Sequence, residues 1–302
     1  MLKKRCGKRI TRSSVKKIVK KIRDITLEAA LSDLEKLRER LPPKKEDLRS
    51  LVGNKFLDYF FLPYRLDTKG RKGISYYEFL EKPELLKKHY VKNLLNHRDT
   101  SKENALYDIF RLYFGSISNF KPIIAAYIYD KYKPTSVMDI SAGWGGRLLA
   151  AMMNPDVRYT GFDTNTELKK PYEEMIKQLG VRNRAKIIFK DSSKVDYSKY
   201  DYDMVFTSPP YFTIEKYEHM PLYEGYDGWV NDFLQPVVER AYGGLKRGGV
   251  FVLNIPDNIY ESVKKILGRK ADESFPLVIV KRNAKNIQNP SEYKERIYTW
   301  RK

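Results

Sequence analysis

Two successive prolines, Pro209 and Pro210, stand directly behind a short apolar run, Tyr202-Asp203-Met204-Val205-Phe206. A run of that length and character predicts a buried strand. Neither proline has an N–H for a sheet ladder, and neither fits the interior of a helix. The chain must therefore leave a sheet through Thr207-Ser208-Pro209-Pro210-Tyr211-Phe212 as a stiff, extended loop. Ser208 is biased to extended backbone by the proline after it. A rigid loop at the carboxyl end of a strand is where α/β sheets bind ligands. A proline-rich surface turn is the other reading of so short a motif.

The rest of the second half fits a sheet of that kind. From about residue 119 the pattern predicts helices over 123–132, 147–153, 167–179, 229–242 and 260–267. Strands are predicted over 136–140, 159–162, 186–189, 203–206 and 249–255. Strands alternating with helices imply a mostly parallel, doubly wound α/β sheet. Two last strands, over 277–281 and 295–300, have no helix between them and should form an antiparallel hairpin at one edge.

Residues 1–118 differ in character. Val15, Ile18, Val19, Ile22 and Ile25, continued by Ala29, Leu31, Leu34 and Leu37, predict one long amphipathic helix ending near Pro42-Pro43. Residues 1–24 hold eleven Lys and Arg against Asp24 alone. That face suits phosphates, or simply water. Further on, Phe56, Tyr59, Phe60, Phe61, Tyr64, Tyr76, Tyr77 and Phe79 interleave with Arg65, Lys69, Arg71 and Lys72. Aromatic rings among basic residues suit base stacking. They equally suit a small helical core in a charged shell. The whole chain of 302 residues carries a net charge of +20. Such a balance implies a polyanionic partner or surface, although a lysine-rich proteome produces the same count. No apolar run is long enough to span a membrane, and the basic N-terminus lacks the apolar segment of a secretory signal. Cys6 is the only cysteine, and His89, His97 and His219 show no ligand spacing. The expectation is a cytoplasmic protein without a metal.

Three strand ends carry candidate binding residues. Ser141-Ala142-Gly143-Trp144-Gly145-Gly146 is a glycine-rich turn between the first strand of the α/β region and its helix. Gly143 and Gly145 allow a ligand close to the backbone. The third glycine position of a dinucleotide fingerprint is Leu148, which disfavours a pyrophosphate cofactor. Asp163 ends the second strand, about twenty residues beyond Gly143, the spacing of a ribose-binding acid. Asp191 follows the third strand with Ser192 behind it, and a carboxylate there can accept from an adenine amino group. Either aspartate alone could merely cap a helix. Together with Gly143 they line one crevice and point to an adenosine-bearing ligand. The proline loop suits an exocyclic amine on a nucleobase. The lone pair of that nitrogen is delocalised into the ring. Acceptors such as the Ser208 hydroxyl and the Pro209 carbonyl would draw it towards a tetrahedral geometry, with Tyr211 stacking on the base.

On these residues, segment 119–302 resembles the S-adenosylmethionine-dependent amino-methyltransferases that modify exocyclic amines of DNA bases. Asp139-Ile140-Ser141-Ala142-Gly143-Trp144-Gly145-Gly146 looks like their cofactor loop. Asp163 and Asp191 match their ribose- and adenine-binding acids. Thr207-Ser208-Pro209-Pro210-Tyr211 matches their catalytic loop. Asn119-Phe120-Lys121-Pro122 resembles the segment that closes over the methionine end of the cofactor. The resemblance implies a Rossmann-like methyltransferase domain at 119–302, S-adenosylmethionine as cofactor and DNA as partner, with RNA also open. It implies catalytic roles for Ser208, Pro209, Pro210 and Tyr211. Cofactor contacts are implied for Phe120, Lys121, Pro122, Asp139, Ser141, Ala142, Gly143, Gly145, Asp163, Asp191 and Ser192. Phe120 and Trp144 would pack near the cofactor or in the core.

The chain departs from the family in places. Ser141-Ala142 replaces the usual Phe or Pro, and Ser208 replaces the Asp or Asn usual in adenine enzymes. No large recognition domain follows the catalytic loop. Recognition then falls to residues 1–118 or to the stretch 211–229, with Tyr217, His219, Tyr223, Gly225 and Tyr226, as a mobile lid or an ordinary loop. Ser208 can also donate to a ring nitrogen, and Ser is commoner there among cytosine-N4 enzymes of the family. Both arguments favour cytosine N4 over adenine N6. A protein that binds nucleic acid without catalysis is the alternative from another class. If residues 1–24 neutralise phosphates, deleting them lowers the slope of log affinity against log salt on duplex DNA. The expected change is roughly 0.9 for each phosphate no longer neutralised. An unchanged slope in a salt titration places the phosphate-binding residues elsewhere.

Overall fold

The computed structural model describes residues 12–70, 72–86, 102–115, 117–212, 222–276 and 295–302. A seven-stranded sheet organises them. Its strands are β1 (Ser136–Asp139), β2 (Arg158–Asp163), β3 (Ala185–Phe189), β4 (Met204–Thr207), β5 (Val250–Ile255), β6 (Glu273–Pro276) and β7 (Arg296–Arg301). Their order is β3-β2-β1-β4-β5-β7-β6. β1 to β5 run parallel. β7 lies antiparallel between β5 and β6, so the last two strands form the expected antiparallel edge. The edge strand lies at 273–276, while the predicted 277–281 falls outside the described residues.

Side chains alternate across the sheet with the period of two that strand geometry imposes. Val137, Met204, Phe206, Val250 and Val252 enter one core, and Met138, Val205, Phe251 and Leu253 enter the other. Burial on both faces explains why these strands read as continuous apolar runs. The strand order reverses between β1 and β4, where the chain leaves for opposite faces of the sheet. That is the crevice where doubly wound sheets take ligands.

The predicted long N-terminal helix is two helices, Arg12–Ile22 and Leu27–Arg38. Thr26 has extended backbone, and its hydroxyl accepts the Ala29 N–H at 3.1 Å. A capping side chain of this kind begins a helix, and the apolar spacing runs across the break without marking it. The aromatics of 51–118 divide between two cores. Phe56, Phe60, Phe61, Tyr76, Tyr77 and Phe79 are buried, whereas Tyr59 is 39% exposed. The helix Asn54–Asp67 serves two cores. Phe56, Leu57, Phe60 and Phe61 join the sheet's core, and Leu62 and Leu66 join the helical one. Segments 1–118 and 119–302 thus share packing.

Polar contacts fix this attachment. Gly53 has no side chain to cap the helix Asn54–Asp67. Asp33, from the preceding helix, accepts the N–H groups of Lys55 and Phe56 at 2.7 and 3.3 Å instead. Asp58 is buried and meets Arg23 at 2.6 Å, Arg65 at 2.5 Å and the Asn119 amide at 3.0 Å. Removing the Thr26 cap should cost about 1 kcal/mol. Thr26→Ala is expected to lower the denaturation midpoint accordingly, and Thr26→Ser to restore it.

Candidate active site

The site is built on the carboxyl ends of β1 to β5. Asp139 ends β1 and is 0% exposed. Arg147 donates to it through Nε at 2.7 Å and Nη2 at 3.2 Å. The Tyr159 hydroxyl donates at 2.5 Å and the Ser141 N–H at 3.1 Å. With four donors the carboxylate has no direction left toward a cofactor, so Asp139 lies beneath the loop and holds it. Burial would lower the pKa of Arg147, but the adjacent Asp139 raises it further, and the guanidinium stays charged. Arg147 also donates to the Ser141 carbonyl and lies 5.3 Å from the centre of the Phe120 ring.

Above this base the glycine-rich turn opens. Gly143 has φ +59°, and among the described residues a Cβ placed there would meet only the Ser141 carbonyl oxygen, at 3.8 Å. That space is free for a ligand. Gly146 is the opposite case, since a Cβ there would lie 2.0 Å from the Phe120 carbonyl oxygen. The close approach seats the Asn119-Phe120-Lys121-Pro122 segment on the turn. Asp163 stands opposite, accepting the Gly143 N–H at 2.8 Å on one oxygen and the Asn165 N–H at 2.9 Å on the other. Each oxygen keeps a lone pair for a diol. At the end of β3, Asp191 caps the turn Ser192–Lys194 by accepting from the backbone and hydroxyl of Ser193. Ser192 points inward and donates to the Ile140 carbonyl, joining β3's loop to β1.

The proline loop is tied to this turn. The Ser141 hydroxyl donates to the Ser208 carbonyl at 2.8 Å and lies 2.8 Å from the Thr207 hydroxyl. Ser141 and Ser208 are half-buried, and Pro209 is buried. Tyr211 is 5% exposed, and its hydroxyl donates to the Asn254 carbonyl at 2.8 Å. Burial and this bond hold its ring in place. Ala142 is buried, with its N–H on the Phe162 carbonyl at 2.8 Å. Gly145 carries the backbone into the next helix at φ +76°. Pro122 starts the helix Pro122–Tyr132. The Lys121 ammonium turns away, reaching the Leu48 and Arg49 carbonyls at 3.4 and 3.3 Å. Burial lowers its pKa. Trp144 is buried among core side chains, and half-buried Phe120 meets Phe206 edge-on at 5.5 Å.

The sequence pattern passed over Arg147, Tyr159, Asn254 and Glu295. Arg147 follows the glycine turn where an amphipathic helix shows an ordinary surface charge. Asn254 sits in the apolar strand Val250–Ile255, and its misfit there was the available signal. Tyr223 lies by Asp191 and Asp232, whose charges add to burial in pushing its hydroxyl pKa up to about 12. Among the described residues no group of three or more His, Cys, Asp or Glu is arranged to hold a metal ion. No described helix is long and apolar enough to cross a membrane.

Burial pushes the Asp163 carboxyl up to about 6 from an ordinary 3.8, against the pull of its two N–H partners. Because the folded value is raised, the folded chain takes this proton first. Ionising Asp163 works against folding above pH about 6, and the penalty is relieved as pH falls. A ribose diol needs the ionised form as acceptor. Calorimetry should therefore show S-adenosylmethionine affinity falling as pH drops below about 6. Asp163→Ala should cost about tenfold or more in affinity, from charge-assisted bonds of roughly 1.5–3 kcal/mol, and remove that pH dependence.

A DNA methylase family model, of N6/N4 type, matches residues 202–301. Similar solved structures include TrmN from Thermus thermophilus, at 14% identity and TM-score 0.43, with 61% of this chain and 49% of that one covered. Precorrin-6y C5,15-methyltransferase from Geobacter metallireducens is 16% identical, with TM-score 0.42 and coverage of 61% and 90%. A SAM-dependent methyltransferase from Agrobacterium tumefaciens is 16% identical, with TM-score 0.43 and coverage of 62% and 64%. The chain spans about half the length of the Thermus protein. No curated protein matches it. The residues present fit S-adenosylmethionine: free space over Gly143, and two carboxylate oxygens at Asp163 with lone pairs to spare. Residues 202–301 match the DNA methylase family, and with that match the resemblance to S-adenosylmethionine-dependent amino-methyltransferases rests on more than its motifs.

Proposed function

We propose that this protein transfers a methyl group from S-adenosylmethionine to an exocyclic amine of a DNA base, with cytosine N4 favoured. The observation that carries the proposal is the coupling of two loops: Ser141 of the glycine-rich turn holds the Ser208 carbonyl at 2.8 Å. A cofactor on the turn and an amine on the proline loop are thereby neighbours. Asp163 would hold the ribose, and Asp191 the adenine amine. The turn at Gly143 and Gly145 would admit the ligand to the backbone, with Phe120 and Pro122 beside it. When bound, the cofactor supplies a methyl group on a sulfonium, activated for direct displacement.

The chain's own residues orient the acceptor. Ser208 Oγ and the Pro209 carbonyl would accept the two amine N–H groups, and Tyr211 would line the base. Positioning of this kind supplies much of a rate enhancement. The target nucleotide would reach the pocket by leaving its stack, with phosphate contacts from the basic residues of 1–118. A neutral Ser208 in place of a carboxylate favours cytosine N4 by the family resemblance.

Nucleoside mass spectrometry after incubation with DNA and, in parallel, RNA tests the proposal. N4-methylcytosine from DNA is the expected product. N6-methyladenine alone would replace the base, and product from RNA alone would replace the nucleic acid. No methylated base together with no affinity for S-adenosylmethionine would leave a non-catalytic binder.

A further inference from the structure

Ser208 belongs to a set of contacts in which the two hydroxyl protons can be assigned. The Tyr211 hydroxyl oxygen lies 2.8 Å from the Asn254 carbonyl oxygen. A carbonyl only accepts, so the phenolic proton lies on that line. The same hydroxyl oxygen lies 3.0 Å from Ser208 Oγ. Two hydroxyl oxygens that close need a proton between them, and the tyrosine's is already placed. Ser208 therefore donates to Tyr211.

Asn254 completes the set. Its Nδ2 lies 3.3 Å from Ser208 Oγ and 3.2 Å from the Tyr211 hydroxyl. Glu295 decides which end of the amide faces them, because its Oε2 is 3.5 Å from Nδ2. An amide oxygen turned that way would confront a carboxylate oxygen. Asn254 is 3% exposed, and its Oδ1 is buried without a partner among the described residues. A buried, half-satisfied amide costs stability that an apolar residue would not. Its neighbours Val252, Leu253 and Ile255 are apolar.

We infer that Asn254, oriented by Glu295, is a positioning residue that fixes Ser208 as a hydrogen-bond acceptor toward an N–H of the target amine. With its proton on Tyr211 and one lone pair on Asn254, Ser208 Oγ offers its remaining lone pair outward. It has no proton for a ring nitrogen. A preference for cytosine over adenine then does not come from a Ser208 proton. The inference rests on Ser208 receiving the amine.

Kinetics of Asn254→Ala in the wild-type and Ser208→Ala backgrounds test it. In the wild-type background kcat should fall about tenfold, with KM for DNA and affinity for S-adenosylmethionine within about twofold. In the Ser208→Ala background the same change should cost less than about twofold, because partners in one network couple. Equal losses in both backgrounds, or none in either, overturn the inference. A neutron crystal structure of the unaltered protein decides the protons without turnover. A Ser208 deuteron directed at Tyr211 supports the assignment, and a Tyr211 deuteron directed at Ser208 overturns it. Wild-type protein that methylates no base removes the role of Ser208 itself, whatever the deuterons show.

Discussion

A carboxylate with no exposure to water lies under the ligand-facing edge of the sheet. A buried charge persists only when its hydrogen-bonding directions are filled, and Asp139 fills them from three elements. Arg147 comes from the helix after the turn, Tyr159 from β2, and the Ser141 N–H from the turn itself. Losing one member of such a pair leaves the other uncompensated, at about 3–5 kcal/mol. Arg147 passes the constraint upward, to the Ser141 carbonyl and the face of Phe120. Ser141 passes it across to Ser208. The loops that would hold a cofactor and a substrate therefore share one buried foundation.

The same accounting changes how the net charge of +20 is read. Arg65 and Arg147 face carboxylates inside the protein. Arg23 is drawn to Asp58, and Lys121 to two carbonyls. These cations hold the N-terminal helices and the Phe-Lys-Pro segment to the sheet. The two buried ones, Arg65 and Arg147, are not available to phosphates.

The strands and the mostly parallel sheet were legible because each strand carries a strong local signal. Apolar runs of strand length were followed by turn residues, such as Gly143, or by prolines that cannot join a sheet ladder, such as Pro209. What stayed hidden depends on contacts between distant residues. Periodicity alone could not break the N-terminal helix at Thr26, since a cap is one hydroxyl finding one N–H. Asp139 read as a cofactor contact because an acid at a strand end looks the same whether it faces a ligand or an arginine eight residues on. The Lys121 ammonium, next to Phe120, turned to carbonyls more than seventy residues earlier in the chain. Asn254 gave no pattern at all, only a polar residue in an apolar strand.

The proline loop is anchored at Ser208 through Ser141 and at Tyr211 through β5. Such a loop has little freedom left to lose. Ordering a side chain on binding costs about 0.5–1.5 kcal/mol, and here folding has already done so. For a nucleic-acid substrate, the remaining expense is extraction of the base, a few kcal/mol for one that is paired and stacked. Bases beside mismatches, in bubbles or at frayed ends ask for less. On the proposed function, a loop this stiff would sort its targets by how loosely the duplex holds them.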